Sequence, residues 1–350
     1  MNSSQTNNQI ALISDIHFGV RKNSELFLKS QTKFFYEQFF PYLKANGIEK
    51  ILILGDVFES RTSIDVRIEE AALDFFKEPF QFDILIGNHD LYYNNDNSTS
   101  SLKMLEKYEN VNIINAVTLD NETGFAYIPW IVDKDKFLSG IESHMTSDVC
   151  FGHFDLCGFN ILGNHISKNW LTPEHLKGFK KVYSGHFHTK SCRQYGNTTV
   201  TYLGCPYWLD RNDKGQEKGF YIFNTDTYED RFIENTVSSR FIDIKYPEPI
   251  NKDIIRDNFI DVYVKEDDVN LNEIEFNKYL AEINACNPIR NATVVVEKNK
   301  DYLNNDVEIV TESKSIIDLI KDFVNVQEKI ENKESLVEKL FKIYEECLEE

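Results

Sequence analysis

The stretch KILILGDVFES, residues 50–60, contains the pattern on which the fold prediction rests. A strand-length apolar run, ILIL, is followed directly by Gly55 and Asp56. A short continuous apolar run that ends at a turn residue is consistent with a strand buried on both faces. In open α/β sheets the functional groups collect at the carboxyl ends of the strands. The stretch therefore predicts both a buried strand and a functional carboxylate.

Similar apolar runs occur on both sides of this stretch. They are IALIS (10–14), FDILI (82–86), VNII (111–114), VCF (149–151) and VYS (182–184). Segments with helical periodicity, at 26–44 and 65–77, separate the first three strand candidates. Buried strands linked by helices predict an α/β protein with a largely parallel or mixed sheet covered on both faces.

The second half of the chain has a different pattern of predicted secondary structure. It is β-rich after residue 190, with TTVTYLG, GFYIFN and RFIDIKY, and from about residue 250 a smaller α/β unit is predicted. That unit contains strand candidates at 259–264 and 292–297 and a helix candidate at 272–285. We therefore predict three segments: a main domain (1–245), a small α/β domain (246–305) and a C-terminal segment (306–350).

The last forty residues predict two short helices, each opening with a capping pattern: Ser315 with Asp318, and Ser335 with Glu338. Apolar residues recur at helical spacing along both helices. They are Ile316, Ile320, Phe323 and Ile330 in the first, and Val337, Leu340, Tyr344 and Leu348 in the second. Two interpretations stay open: the stripes pack on their own domain, or they dock a partner helix.

Composition limits the classes of function. The net charge of the 350 residues is −19, and residues 301–350 alone hold fourteen acidic residues against six lysines. This balance argues against electrostatic binding of nucleic acid by the chain as a whole, because such binding usually needs a basic surface. The polar N-terminus, the absence of CxxC pairs and the lack of any apolar run near the ~20 residues of a membrane span predict a cytoplasmic protein without membrane contact.

Polar residues that could carry chemistry follow five of the apolar runs. They are Asp15 and His17 in SDIHFG, Asp56 in LGDVF, Asn88 and His89 in IGNHD, His153 in FGHFD, and His186 and His188 in SGHFHT. We expect them to converge on one crevice at the strand ends. Carboxylates, imidazoles and a carboxamide suit Mn, Mg, Fe or Zn. Seven candidate ligands are too many for one tetrahedral ion, so two divalent ions are predicted.

Two ions about 3.5–4 Å apart would polarise a phosphate oxygen and activate a bridging water. One carboxylate must bridge them, and Asp56 is the candidate because donors flank it on both sides in the sequence. Once Asn88 supplies its carbonyl oxygen, His89 has no ligand role left. His89 is therefore predicted to act as a general acid, or as a cation toward the leaving oxygen.

The letters Gly-Asn-His occur twice, at 87–89 and at 163–165. The first copy follows an apolar strand candidate and precedes Asp90. The second follows the looser GFNIL and precedes polar SKN. We interpret the second copy, with His165, as a surface loop that borders the cleft.

Taken in order, the motifs D-x-H, G-D, G-N-H-D, G-H and G-H-x-H resemble those of calcineurin-like metallophosphoesterases over roughly residues 10–190. The resemblance implies a four-layer α/β (α+β) metallophosphoesterase sandwich. It also implies one metal held by Asp15, His17, Asp56 and His188, a second held by Asp56, Asn88, His153 and His186, and a catalytic His89.

A narrower likeness rests on seven motifs: DIHFG (15–19), GDVFESR (55–61), IPW (128–130), GHFDLCGF (152–159), SGHFHT (184–189), YLGCPYW (202–208) and GFYIFN (219–224). These resemble the SbcD-type nucleases of double-strand-break repair, among them the recombination endonuclease subunits of T-even-like phages. That resemblance implies a Mn-dependent 3′ to 5′ exonuclease on duplex DNA and endonuclease on single strands. It further implies a capping domain, a C-terminal helical pair that docks on an SbcC-type coiled-coil ATPase, a homodimer, and the cytoplasm of a bacterial host. Many members carry His or Asp where this chain has Glu59.

Two other classes of function are weighed against a nuclease. A stand-alone binuclear metallophosphatase or phosphodiesterase acting on nucleotides or phosphoproteins would share all five motifs. The long extension after His188 disfavours it. A non-enzymatic scaffold would be expected to have lost at least one ligand, and none is missing.

Overall fold

The computed structural model describes residues 8–93, 96–162, 165–265 and 272–297, together with Leu336 and Lys339. For Leu162, His165 and Glu297 this description covers the backbone alone. The chain divides into two units, residues 1–298 and 299–350. The predicted C-terminal helical pair and the docking positions Ile316, Ile320, Phe323, Val337, Leu340 and Tyr344 lie outside the described residues and stay predictions.

Two six-stranded sheets form the centre of the first unit. Across the first sheet the order is β14 (Asp230–Glu234), β13 (Gly219–Asn224), β1 (Gln9–Ile13), β2 (Lys50–Ile53), β3 (Gln81–Leu85) and β4 (Val111–Ile114). Strands β1 to β4 are parallel, whereas β13 is antiparallel to both of its neighbours. The strand candidates at 10–14, 51–54, 82–86 and 111–114 are thus confirmed to within a residue.

In the second sheet the order is β11 (Ser191–Tyr195), β12 (Thr198–Tyr202), β10 (Lys181–Gly185), β7 (Val149–His153), β6 (Ala126–Ile128) and β5 (Thr118–Leu119). The four central strands are parallel and the two edge strands are antiparallel. A separate antiparallel ribbon joins β8 (Asn160–Leu162) and β9 (His165–Ile166).

Helices cover the outer faces of both sheets. Above the first sheet lie α1 (Glu25–Phe34), a π-helical turn (Phe35–Phe39), α2 (Phe40–Ala45) and α3 (Val66–Phe76), and above the second lies α4 (Lys134–His144). Shorter helical turns are Val20–Asn23, Ser101–Leu105, Pro173–Leu176 and Arg211–Asp213. The helices predicted at 26–44 and 65–77 are confirmed as these elements.

Successive side chains of each strand point to opposite faces of its sheet, and this alternation produces the layers. In β1, Ile10 and Leu12 point into the core between the sheets, whereas Ala11 and Ile13 pack under the helices. Because successive strand residues face opposite sides, strands that are apolar throughout can be buried on both faces. The result is a helix–sheet–sheet–helix stack, which confirms the predicted four-layer sandwich.

A small parallel sheet completes the first unit, with β15 (Phe241–Lys245), β16 (Phe259–Lys265) and β17 (Thr293–Glu297). It is accompanied by α5 (Lys252–Ile255) and α6 (Glu273–Cys286), and has its own apolar core. Phe259 stacks on Phe27 of α1 at 5.0 Å, and buried Asp261 accepts two hydrogen bonds from Arg211 at 2.7 and 3.0 Å. The predicted boundaries at 245/246 and 305/306 stay predictions.

Within the described residues, no helix combines the length and the apolar character that crossing a membrane requires.

Candidate metal centre

All eight predicted site residues lie together at the carboxyl ends of strands from both sheets. Asp15 and His17 follow β1, Asp56 follows β2, and Asn88 and His89 follow β3, all in the first sheet; His153 ends β7, and His186 and His188 follow β10, in the second. The facing edges of the two sheets therefore form one crevice. Its depth is shown by Asp15, His17, Asp56 and His153, whose exposed fraction is 1% or less.

The backbone of the loops holds several of these residues in the left-handed region, which residues other than glycine rarely adopt. Asp15, His17, Asp56 and His186 have φ angles of 53°, 49°, 55° and 92°. The Asp15 N–H donates to the Gly55 carbonyl at 3.1 Å, and the His17 N–H donates to the Asp56 carbonyl at 3.0 Å. These bonds fix the turns after β1 and β2 against each other before any ligand binds.

One group of potential metal ligands consists of Asp15, His17 and His188, whose donor atoms lie within 4.8 Å of one another. Nε2 of His17 is 3.0 Å from Nε2 of His188. Metal–ligand bonds of about 2.1 Å at right angles place neighbouring ligand atoms about 3.0 Å apart. The spacing thus fits two nitrogens that share one ion.

A second group consists of Asp56, His153 and His186. The Asn88 side chain joins it, with Oδ1 2.8 Å from Nδ1 of His186 and 3.0 Å from Nε2 of His153. The carboxamide oxygen therefore faces the same point as the two imidazoles. Oxygen and nitrogen donors without a thiolate suit Mn, Zn or Fe.

Asp56 lies between the two groups. Its Oδ2 is 3.8 Å from Nε2 of His17 and 3.5 Å from Nε2 of His153. Its Oδ1 accepts a hydrogen bond from the His89 N–H at 2.8 Å. The carboxylate is thus fixed in an orientation from which it can contact ions in both groups. The donor set and its spacing fit a pair of divalent cations.

The electrostatics of the centre favour a bound positive charge. Burial lowers the pKa of His153, but the nearby Asp56 carboxylate outweighs it and the net pKa rises to about 9. His17 behaves similarly: burial opposes the effect of Glu59 and Asp56, and the net pKa is about 8. Burial lowers the pKa of His186 to about 4. The rings of His17 and His153 therefore carry protons at neutral pH. Divalent ions bound at the centre would supply this positive charge in their place.

Glycines allow the loops to approach this closely. A Cβ on Gly55, where φ is +90°, would lie 2.4 Å from Nδ1 of His153. A Cβ on Gly87 would lie 2.2 Å from Oδ1 of Asp56. Both distances are far below van der Waals contact, so any other residue would displace a potential ligand.

His89 is next to the first group, with its ring 4.8 Å from that of His17. Its Nδ1 lies 2.9 Å from the Glu59 carbonyl oxygen, which requires a proton on Nδ1. In the described part of the chain Nε2 has no hydrogen-bond partner. The ring is therefore oriented with Nε2 available to a substrate.

The side chain of Glu59, whose role the sequence left open, contacts a candidate ligand. Its Oε2 lies 2.7 Å from Nδ1 of His17. A carboxylate that accepts from the far nitrogen of a metal-binding histidine fixes the ring tautomer and its orientation. This contact with His17 lowers the pKa of Glu59, which keeps the carboxylate ionised.

The carboxylate of Asp90 organises the backbone beneath the centre. One carboxylate oxygen accepts hydrogen bonds from the backbone N–H groups of Asp56 and Gly87, both at 2.9 Å. The other accepts from the backbone N–H groups of Val57 and Phe58, at 3.0 and 3.3 Å. Burial raises its pKa to about 7. Asp90 thus ties the loop of Asp56 to the loop of Asn88 and His89.

Lys218 is a supporting residue that the sequence analysis missed. Its side chain is fully buried, pairs with Asp213 at 2.6 Å and donates to the carbonyl of His188 at 2.7 Å. A lysine in front of a strand is normally taken as exposed, so composition and periodicity carried no signal for it. In the second Gly-Asn-His copy the backbone of His165 belongs to strand β9 of the antiparallel ribbon. Gly163, Asn164 and the His165 side chain lie outside the described residues, so the position of this segment beside the cleft stays a prediction.

The chain is similar to several known proteins. The family model for calcineurin-like phosphoesterases matches residues 9–264. Exonuclease subunit 1 of Enterobacteria phage T4 is 28% identical over 351 residues, which cover 97% of this chain and 99% of that protein. Two solved structures align over 65% of this chain and 99% of their own. They are a novel archaeal phosphodiesterase (14% identity, TM-score 0.35) and a dimetal phosphatase from Danio rerio (12% identity, TM-score 0.36).

Proposed function

Because the chain belongs to the calcineurin-like phosphoesterase family, we propose that it is a Mn-dependent DNA nuclease that acts as one subunit of an SbcCD-type complex in recombination and repair. The main support for a nuclease, among the possible kinds of phosphoesterase, is the similarity to T4 exonuclease subunit 1. It extends over 97% of this chain and so includes the small sheet and the C-terminal segment as well as the catalytic core.

In this proposal one ion is held by Asp15, His17, Asp56 and His188, and the other by Asp56, Asn88, His153 and His186. Bound there, the two ions would polarise a phosphate oxygen and lower the pKa of a water molecule. The ligand chemistry suits Mn²⁺, because each proposed ligand set combines two nitrogen donors with two oxygen donors.

His89 is the proposed catalytic residue. Its Nδ1 bond to the Glu59 carbonyl leaves Nε2 facing the crevice, and its backbone N–H is bonded to Asp56. From this position a protonated ring can donate to the oxygen that leaves phosphorus, or stabilise its negative charge. Neither function requires His89 to bind a metal.

The proposed activities are 3′ to 5′ exonuclease on duplex DNA and endonuclease on single strands. The proposed partner is an SbcC-type coiled-coil ATPase, docked on the helical pair of residues 306–350, and the small sheet within residues 246–305 is the proposed capping domain. The name of the T4 relative identifies that protein as one subunit of an exonuclease. Because this chain has a net charge of −19, we expect the ATPase to supply much of the affinity for DNA. A homodimer in the bacterial host cytoplasm completes the proposal.

The variant His89→Gln tests the proposal. With the ATPase and Mn²⁺, linear duplex DNA should be degraded by the wild type and about 10²- to 10⁴-fold more slowly by the variant. Mn²⁺ binding, measured by calorimetry, should be unchanged. His144→Gln is the matched control, since His144 lies on α4 outside the crevice. If the wild type leaves duplex DNA intact but hydrolyses a chromogenic phosphomonoester, it is the stand-alone phosphatase instead.

A further inference from the structure

A cavity of about 230 Å³ lies directly beside the metal centre. Its lining includes His153, the aromatic residues Trp130, Phe137 and Trp170, and the polar residues Asp155 and Asn169, together with further apolar side chains. The volume is below the ~300–1,000 Å³ of pockets that hold drug-sized ligands, so it suits a single planar ring system. No role has been given to it by the proposed chemistry.

The side chains of Trp130 and Trp170 make part of the cavity wall aromatic. The ring of Trp130 is 5.1 Å from that of His186 and 6.0 Å from that of His153, so this wall continues directly from the second group of ligands. Trp170 is 39% exposed, which is unusual for so large an apolar side chain. Its ring is supported by Phe137 at 6.0 Å and by Nζ of Lys134 at 4.6 Å.

Polar atoms are placed at the same cavity. One carboxylate oxygen of Asp155 accepts from the Ser167 hydroxyl at 2.6 Å, and the other lies 4.0 Å from Nε2 of His186. Oδ1 of Asn169 accepts a hydrogen bond from the backbone N–H of Trp170 at 2.7 Å. Nδ2 of Asn169 makes no hydrogen bond to any residue that the structure describes. An acceptor and a donor thus border an aromatic slot, as the edge of a nucleobase requires.

We propose that this cavity binds the base of the 3′-terminal nucleotide, the one released by each cleavage. The inference rests on the proposed nuclease function. Hydrolysis adds water to phosphorus and breaks the bond to the 3′ oxygen of the preceding nucleotide, which takes a proton; the phosphate stays on the terminal nucleotide. His89, the proposed donor to that leaving oxygen, is beside His17, whereas the cavity begins at His153, in the other group. The nucleotide that keeps the phosphate therefore extends towards the indoles.

Binding in this slot requires a base that is not stacked in the duplex. Enzymes that extrude a base hold it against aromatic side chains, and a terminal base pair is the easiest to open. Base–aromatic stacking is worth about 1–3 kcal/mol per base, which corresponds to about 5- to 150-fold in rate or affinity. The cavity would thus align each successive terminal nucleotide without selecting its sequence.

The test compares two linear duplexes that differ in the last nucleotide of one strand, which carries either a normal base or an abasic tetrahydrofuran. Release of the terminal nucleotide is followed under single-turnover conditions with Mn²⁺ and the ATPase. The wild type should release the normal terminus about 5- to 150-fold faster than the abasic one. Trp170→Ala should bring this ratio close to 1, and Trp170→Phe, which retains a ring, should keep most of it.

Tyr36→Ala is the matched control, because Tyr36 is a 40% exposed aromatic residue on the helix layer of the first sheet. Its ratio should equal that of the wild type. A wild-type ratio near 1, or a Trp170→Ala variant with the wild-type ratio, overturns the assignment of the cavity while the nuclease function stands. A wild-type enzyme that releases neither terminus overturns both proposals.

Discussion

Replacing Asp90 with Asn should destabilise the protein by at least about 2 kcal/mol, although the two side chains have nearly the same shape. The carboxylate accepts four backbone N–H groups, two on each oxygen. An Asn side chain keeps one acceptor oxygen and turns an NH₂ group towards the other two donors. Each buried donor left unpaired costs about 1–3 kcal/mol. Asp90→Ala should cost still more, because all four donors then lose their partner.

The assay is urea denaturation of the metal-free protein at about pH 9, where Asp90, with a pKa of about 7, is ionised, compared with Mn²⁺ affinity measured by calorimetry. Both should fall in Asp90→Asn, since the bonds to Asp90 connect the loops of two proposed ligands, Asp56 and Asn88. Asp74→Asn is the matched control: Asp74 is exposed on α3 and forms one ion pair with Lys77. Its unfolding midpoint should stay close to that of the wild type.

A cost below about 0.5 kcal/mol for Asp90→Asn, which is the size expected for an ordinary surface substitution, would refute the reasoning. So would an Asp90→Ala variant more stable than Asp90→Asn. Either result would mean that the four N–H groups do not depend on the carboxylate.

Three further predictions concern the surroundings of the centre. Glu59→Gln should weaken Mn²⁺ binding by about 10- to 100-fold by loosening the His17 ring; equal calorimetric affinities would exclude a positioning role. Mn²⁺ affinity should rise between about pH 7 and 9, because pKa values near 8 for His17 and 9 for His153 leave both protonated at neutral pH and each must lose its proton to bind a metal; an affinity that is flat with pH would contradict this. Lys218→Met should lower the free energy of unfolding by about 3–5 kcal/mol, since the buried Asp213 carboxylate then has no counter-charge; an unchanged urea midpoint would show that the pair is dispensable.

The strands and the potential ligands could be predicted because their signals are local. Each potential ligand follows an apolar run, and a turn glycine precedes most of them, so Asp56 and His153 could be placed at strand ends without any tertiary information. The pattern alone predicted one sheet covered on both faces. The stacking of two sheets depends on pairings between distant segments, such as β1 with β13, and came only from the family resemblance.

Supporting residues could not be predicted because their roles depend on contacts between segments far apart in the sequence. Nothing local distinguishes Lys218 from an exposed lysine, and its burial follows from pairing with Asp213 beneath His188. Trp170 is likewise an ordinary aromatic residue until the fold places it beside Trp130 in one cavity.

The left-handed backbone at Asp15, His17, Asp56 and His186 bears on any attempt to transplant this centre into another scaffold. Copying the side chains onto regular strands would give the right donors pointing in the wrong directions, because each strained residue turns its Cβ away from the strand path. A designed host would have to reproduce the four turns, at a strain of about 1–3 kcal/mol each, and the close glycine contacts beneath them. The transferable unit is therefore a set of loop conformations, and a host chosen for sheet geometry alone would hold the ions poorly.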